Sequence, residues 1–366
     1  MGPGSTGWVP PHCPNPNCTY FNTLVRDWPF KKKGFYSRSS RPQRIQRFTC
    51  LACKRHFSTQ TFSTSYWQKR PELISRLVMM VVGCMANRQI ARALGCSPTT
   101  VAHQVARLGR HCLLLQAAEL GRITELKEIA IDGFESFEWS QYFPFHHNVA
   151  VDVESGYFLH HTDSPLRRKG RMTTHQKTRR EQLERVLGRA HPRAVEAGVY
   201  ELLQALRRDR SVPTIRSDNH RAYPRAIASA FGATAVHRIT SSRQRRDERN
   251  PLWEINLLDL MIRHSTAAHK RETIAWAKRR QASIEKLAIF QVWRNYIKRR
   301  REKGASVTSA MLLGRASRPW RVRDLLKERL FFEKTALTVR WQQYYRRDVK
   351  THALAVNRTH DLRYAF

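Results

Sequence analysis

The sequence predicts an α/β protein with two small modules ahead of its sheet, and three features predict it. Four cysteines fall into two close pairs, Cys13 with Cys18 and Cys50 with Cys53. A helical pair follows, broken at Gly95 and restarted at Ser97-Pro98. From residue 121 three strand-like runs come together and then alternate with helices, the order of a sheet covered by helices. At 366 residues two or three domains are expected. The three features divide the chain into four segments, 1–66 (zinc ribbon), 67–120 (helix-turn-helix), 121–304 (α/β domain) and 305–366 (a basic C-terminal region).

In the first module, Cys13-Pro-Asn-Pro-Asn-Cys18 and Cys50-Leu-Ala-Cys53 each let two thiolates face one ion from a tight turn, and a hairpin between them can bring the turns together. Four thiolates favour structural Zn²⁺, which substitutes for a hydrophobic core too small to hold such a segment. A closed four-ligand site leaves no open position for chemistry. Cys84, Cys96 and Cys112 sit in apolar surroundings and are expected in the core.

Pro71 to Cys84 is apolar at helical spacing. Between Asn87 and Arg107, Gly95 ends one short helix, Ser97 caps the next and Pro98 occupies its first turn. This pattern fits a helix-turn-helix whose second helix enters a DNA major groove. Thr99, Thr100, His103, Gln104 and Arg107 are the expected outward positions for base edges and phosphates.

The third segment starts with Lys127 to Asp132, a strand ending in a carboxylate. Asn148 to Val153 and Tyr157 to His160 are the next two strands, joined at Glu154-Ser-Gly156. A helix-like stretch includes Ala194 to Arg208, and Pro213 to Asp218 is a fourth strand, again ending in Asp. A helix over Tyr223 to Phe231, a strand over Thr234 to Ile239, and a helix capped by Asn250 with Pro251 in its first turn complete the pattern. A meander of three strands followed by alternating helix and strand describes an RNase H-like sheet, in which Asp132 and Asp218 become neighbours. Glu254, near the start of the last helix, is the expected third acid, preferred over Asp152, Asp247, Glu248 and Asp259 because Leu258 and Met261 share its face and would anchor it. Three converging carboxylates suit two Mg²⁺ ions, which support in-line phosphoryl transfer.

Beyond these strands, Trp276 to Lys303 mixes apolar residues at helical spacing with cationic clusters, and Trp293 and Tyr296 are assigned to the core. A short helix begins near Pro319, and residues after Val339 read as an extended basic tail.

Charge identifies the class of partner. There are 66 Lys and Arg against 29 Asp and Glu, a net of +37. An enzyme of small molecules has little reason to tolerate such self-repulsion, whereas a polyanion binder uses it. The net is +14 over residues 1–120, +7 over 121–250 and +16 over 251–366, so acids are retained between two cationic flanks. No apolar run approaches the roughly 18 residues of a membrane helix, and the N-terminus lacks a signal-peptide pattern. A cytoplasmic, nucleoid-associated protein with no membrane partner is expected.

Taken together, the residues resemble the bacterial insertion-sequence transposases of the DDE, RNase H-like superfamily that carry an N-terminal zinc ribbon and helix-turn-helix. The resemblance runs from Cys13 to about Leu326. Asp132 in IAIDGFESFE resembles the family's first acid, Asp218 in TIRSDNHRAYPRAI its second, and Glu254 in NPLWEINLLDLMIR its third, although apolar residues follow Glu254 where polar ones are usual. NYIKRRREKGASVTSAMLLG is similar to the segment that closes many such domains. The resemblance implies Mg²⁺-dependent cleavage and strand transfer on double-stranded DNA, at terminal inverted repeats and at a target, by a homo-oligomer that pairs two ends. A domesticated, catalytically inactive DNA-binding regulator and a structure-specific nuclease are the alternatives.

Overall fold

A computed structural model describes residues 7–22, 27–207, 211–270, 273–357 and 359. The ribbon is a three-stranded antiparallel sheet of β1 (Phe30–Ser37), β2 (Arg44–Cys50) and β3 (His56–Ser58). Helices α1 (Glu72–Val82), α2 (Asn87–Leu94) and α3 (Pro98–Leu120) follow. Gly95 adopts φ 58°, ψ 47°, the left-handed conformation that ends α2, and Ser97 Oγ accepts from the Thr100 amide at 3.1 Å to start α3.

The sheet that follows comprises β4 (Glu128–Phe137), β5 (Pro144–Asp152), β6 (Phe158–Pro165), then after α4 (Thr174–Leu187) and α5 (Ala194–Arg207) β7 (Thr214–Ser217), and after α6 (Ala222–Phe231) β8 (Val236–Ile239). Its order is β6-β5-β4-β7-β8, antiparallel among the first three and parallel from β4 to β8. The chain is therefore α/β with a mixed sheet, as expected. Helix α7 (Trp253–Ser265) starts two residues later than expected. Asn250 does not cap it directly; its Oδ1 accepts from the Leu252 amide at 2.8 Å, closing a turn ahead of the helix.

Helices α8 (Arg280–Val292), α9 (Ser309–Leu312), α10 (Val322–Leu325) and α11 (Val339–Arg346) complete the chain, with a π-helical turn at Trp293–Ile297 after α8. Trp293 and Tyr296 are core residues, as expected. The extended C-terminal tail is corrected. Its segment forms α11, which buries Trp341, Tyr344 and Tyr345 against α3 and α8. Tyr344 donates to Asp163 Oδ1 at 2.6 Å and the Trp341 indole to the His161 carbonyl at 2.8 Å, so the sheet holds this segment. One buried apolar cluster runs from Leu73 to Tyr345, across both residue 120 and residue 304, while the ribbon has its own small cluster. The packing therefore does not divide at those two expected boundaries. Among the described residues no helix is long and apolar enough to cross a membrane.

The main core encloses several neutral histidines. Burial lowers His111 and His161 to about 4 and His269 to about 3. Unfolded histidines take up protons below about 6.5, whereas these rings resist until about 4 or below. The unfolded state thus binds more protons across that window, and stability falls as pH falls. By pH 5, His111 and His161 should each contribute about 2 kcal/mol less than at pH 7. We expect the melting temperature to drop steeply between pH 6.5 and 4; a flat profile would exclude neutral burial of these rings.

Candidate active site

The four cysteines converge. Cys13 and Cys18 flank a turn closed by the Cys18 amide on the Asn15 carbonyl at 3.0 Å, and Cys50 ends β2 just before Cys53. Sγ of Cys13 lies 3.6 Å from Cys53 and Sγ of Cys18 lies 3.9 Å from Cys50, all four within 4.8 Å of one another. Zn–S bonds of about 2.3 Å in a tetrahedron set sulfur–sulfur edges of about 3.8 Å, so this is a possible zinc site. Trp28 Nε1 donates to Cys50 Sγ at 3.2 Å, an outer contact suited to a thiolate. Burial pushes the Cys13 and Cys18 thiols up. Cys53 also feels desolvation, yet hydrogen bonds from the Arg55 amide and the Asn15 side chain bring it down to about 7. Phe48, Phe57 and Phe62 surround the cluster, and Phe331 from the C-terminal region packs on it.

The helical pair has the expected turn, but only part of the expected outward face. Thr99 and His103 are exposed and Thr100 is half-buried. Gln104 is buried, and Arg107 is mostly covered, donating through Nη2 to the Tyr66 carbonyl. Burial, with Arg110 and Arg329 nearby, lowers its guanidinium to about 9. Both expected contacts are corrected for one reason. Helix α3 runs for 23 residues, and from Gln104 onward its face turns into the core against α8 and the C-terminal region.

Asp132 and Asp218 come together through strand register. Parallel pairing of Glu128 with Thr214 and Ala130 with Arg216, continued two residues, sets Asp132 level with Asp218 on adjoining strands about 4.8 Å apart. Asp132 is not at the end of its strand. β4 continues to Phe137 because β5 pairs along its whole length, whereas β7 stops at Ser217. The acid therefore stands where β4 loses its parallel neighbour and the sheet opens. Tyr223 of α6 donates to Asp132 Oδ1 at 3.3 Å, and the His220 amide donates to Asp218 Oδ1 at 2.9 Å. Burial, together with the charges of Asp218 and Asp259, raises Asp132 to about 7.

Glu254 does not join them. Both its oxygens accept from Arg300, at 2.5 and 3.1 Å, and Arg300 also donates to the Ser155 carbonyl at 2.7 Å. That places Glu254 at the β5–β6 turn, beside Asp152, which pairs with Ile129 three positions before Asp132. The acid of α7 whose charge acts on Asp132 is Asp259. Its Oδ2 accepts from Arg263 Nε at 3.1 Å, while Oδ1 is buried with no hydrogen-bond partner among the described residues. Arg216 fixes this end of α7 by gripping Glu128 at 2.6 Å and the Pro251 carbonyl at 3.1 Å.

A histidine backs the pair on the opposite face of β4. A Cβ on Gly133 would lie 2.2 Å from His146 Cε1, so only glycine admits the ring here. Thr162 Oγ1 donates to the Gly198 carbonyl at 2.7 Å and must accept from Asn148 Nδ2 at 3.0 Å. Asn148 Oδ1 therefore faces His146 Nδ1 at 2.9 Å, and Nδ1 carries the ring proton. Sequence reasoning missed Tyr223, His146 and the pairing role of Gly133; the glycine directly after Asp132 was the one available signal.

Asp132, Asp218 and Asp259 offer hard carboxylate oxygens, and burial disfavours the charged form of Asp132. Among the described residues, however, the cysteines are the one group with three or more ligand atoms within 4.8 Å; the aspartates stand wider apart. No protein-family model matches the chain, and no curated protein matches it.

Proposed function

We propose that the chain is a DNA transposase that binds the ends of its element and cuts and joins DNA at Asp132, Asp218 and Asp259, on an RNase H-like sheet. The observation that carries this reading is Asp132 and Asp218 set level where the sheet opens, with the charge of Asp259 acting on Asp132, in a protein of net charge +37. Acids so placed repel polyanionic DNA unless they serve it. Asp132, Asp218 and Asp259 would hold Mg²⁺, which supplies Lewis-acid stabilisation of the charge that develops on phosphate oxygens.

The chain's own residues do the rest. Tyr223 orients Asp132 through its hydroxyl, and Arg263 fixes one oxygen of Asp259 while leaving the other free. Asp218 is held by the backbone that follows it, so its carboxylate is pre-set before DNA arrives. The ribbon, stabilised by zinc on Cys13, Cys18, Cys50 and Cys53, and the exposed Thr99 and His103 at the start of α3 would read the terminal repeats. Joining two ends calls for at least two such centres, hence a homo-oligomer on DNA.

Two observations test the reading. Terminal inverted repeats should flank the gene, and purified protein with Mg²⁺ should nick DNA bearing them and join the 3′ ends to a second duplex. Nicking without joining would support the nuclease alternative. Binding without either reaction would support the inactive regulator.

A further inference from the structure

The +7 of residues 121–250 is not spread along them. That segment has 23 cations and 16 acids, and ten of the cations but only two of the acids lie between Arg167 and Arg193. The stretch carries +8, and the remainder of the segment is −1. Most of its length is α4, which buries no side chain at all. Local devices hold the helix. Thr173 and Gln176 form a reciprocal cap at its start, and Arg167 grips Glu184 through two bonds of 2.8 and 2.9 Å.

Both acids of the stretch are satisfied inside it. Glu184 pairs with Arg167 and with Arg180, and Glu181 pairs with Arg180 at 3.4 Å. Lys169, Arg171, Lys177, Arg179, Arg185, Arg189 and Arg193 are exposed, and none makes an ion pair among the described residues. Such repulsion destabilises a helix that fully buries no side chain, so the density of charge points to an anionic partner. That partner is not a membrane, since α4 has no apolar stripe to insert: Val186 is exposed on its own.

The stretch also adjoins the acidic centre. A groove of about 520 Å³ is lined by Lys169 and Arg193 on one side and by Asn219, His220 and Arg221, the residues directly after Asp218, on the other. A helix of 14 residues is about 21 Å long, the length of roughly six base pairs.

We propose that residues 167–193 form a cationic arm that grips the backbone of duplex DNA, without regard to sequence, beside the acidic centre of Asp132, Asp218 and Asp259. The proposal rests on the DNA-cutting reading.

The test measures binding of the full chain to a random-sequence duplex of about 30 base pairs across salt concentrations, for wild type and for a variant combining Lys169→Gln, Arg171→Gln, Lys177→Gln and Arg179→Gln. Each lost phosphate contact lowers the slope of log affinity against log salt by about 0.9, so the expected decrease is about 3 to 4. The melting temperature should not change, because none of the four side chains is buried. A variant with Lys at all four positions should restore the slope. An unchanged slope in the Gln variant overturns the arm, as does an equal loss confined to duplex RNA or to vesicles of anionic lipid. Failure of the wild-type chain to bind any duplex overturns instead the DNA-cutting reading itself.

Discussion

Asp259→Asn is expected to abolish DNA cleavage and joining as completely as Asp132→Asn, by at least about 10³-fold, while Glu254→Gln keeps activity within about tenfold of wild type. The two carboxylates lie on one helix, and their environments differ. Glu254 has both oxygens engaged by Arg300 and bridges α7 to the β5–β6 turn. Asp259 has one oxygen engaged and one buried without a donor among the described residues, and its charge acts on Asp132. A carboxylate already neutralised by arginine has little capacity left for a cation; one with a free buried oxygen has reason to take it. Glu254→Gln should show itself in stability, because it leaves Arg300 half-satisfied in a partly buried site, at about 1–3 kcal/mol. The measurement is strand transfer at saturating Mg²⁺ beside thermal melting of each variant. Loss of strand transfer in a well-folded Glu254→Gln, with Asp259→Asn still active, would restore Glu254 as the third acid.

Cys50→Ser is expected to lower bound zinc from one ion per chain to nearly none and to unfold the ribbon while the rest of the chain stays folded. The ribbon's own core consists of little more than Trp28, Phe48, Phe57, Phe62 and the cysteines. So little apolar area does not offset the entropy of ordering a segment of this size, and structural zinc in such modules contributes about 10 kcal/mol or more. Loss of one thiolate breaks the tetrahedron and the acceptor of the Trp28 indole together. Elemental analysis should report the metal, and Trp28 fluorescence the local unfolding. Cys112→Ser provides the contrast: that thiol is buried against the main core, away from the cluster, and its variant should keep full zinc. Full metal content in Cys50→Ser would remove it as a ligand.

Local signals were legible to the extent that local physics made the structure. Gly95, Ser97 and Pro98 ended and started helices where they were expected, since caps depend on one turn of backbone. Cysteine spacing brought the four sulfurs together, because turn geometry and hairpin pairing are short-range. Alternation between helix and strand was enough to place Asp132 beside Asp218, because parallel strands register over many residues at once.

Long-range packing decided what remained. Glu254 and Asp259 both border the buried stripe of Ile255, Leu258 and Ile262, about 70° to either side and about 7.5 Å apart along the axis. The anchoring argument from Leu258 and Met261 therefore could not choose between them; the choice came from Arg216 and Arg300, which set how α7 lies across β4. Arg107 read as a DNA contact until the C-terminal segment, more than 200 residues away in sequence, covered its side of α3. The supposed tail became α11 through Trp341 and Tyr344, whose partners His161 and Asp163 lie on β6.

By itself, the sequence determined the α/β class, the cysteine cluster, the punctuation between α2 and α3 and the neighbouring of Asp132 and Asp218, because each depends on spacing within an element or on the period of a strand. The tertiary structure alone decided which acid of α7 is taken up by Arg300, which outward residues stay outward, and that the segment after Val339 closes back on the sheet. These depend on which faces meet across the sheet, and spacing along a single chain does not encode that.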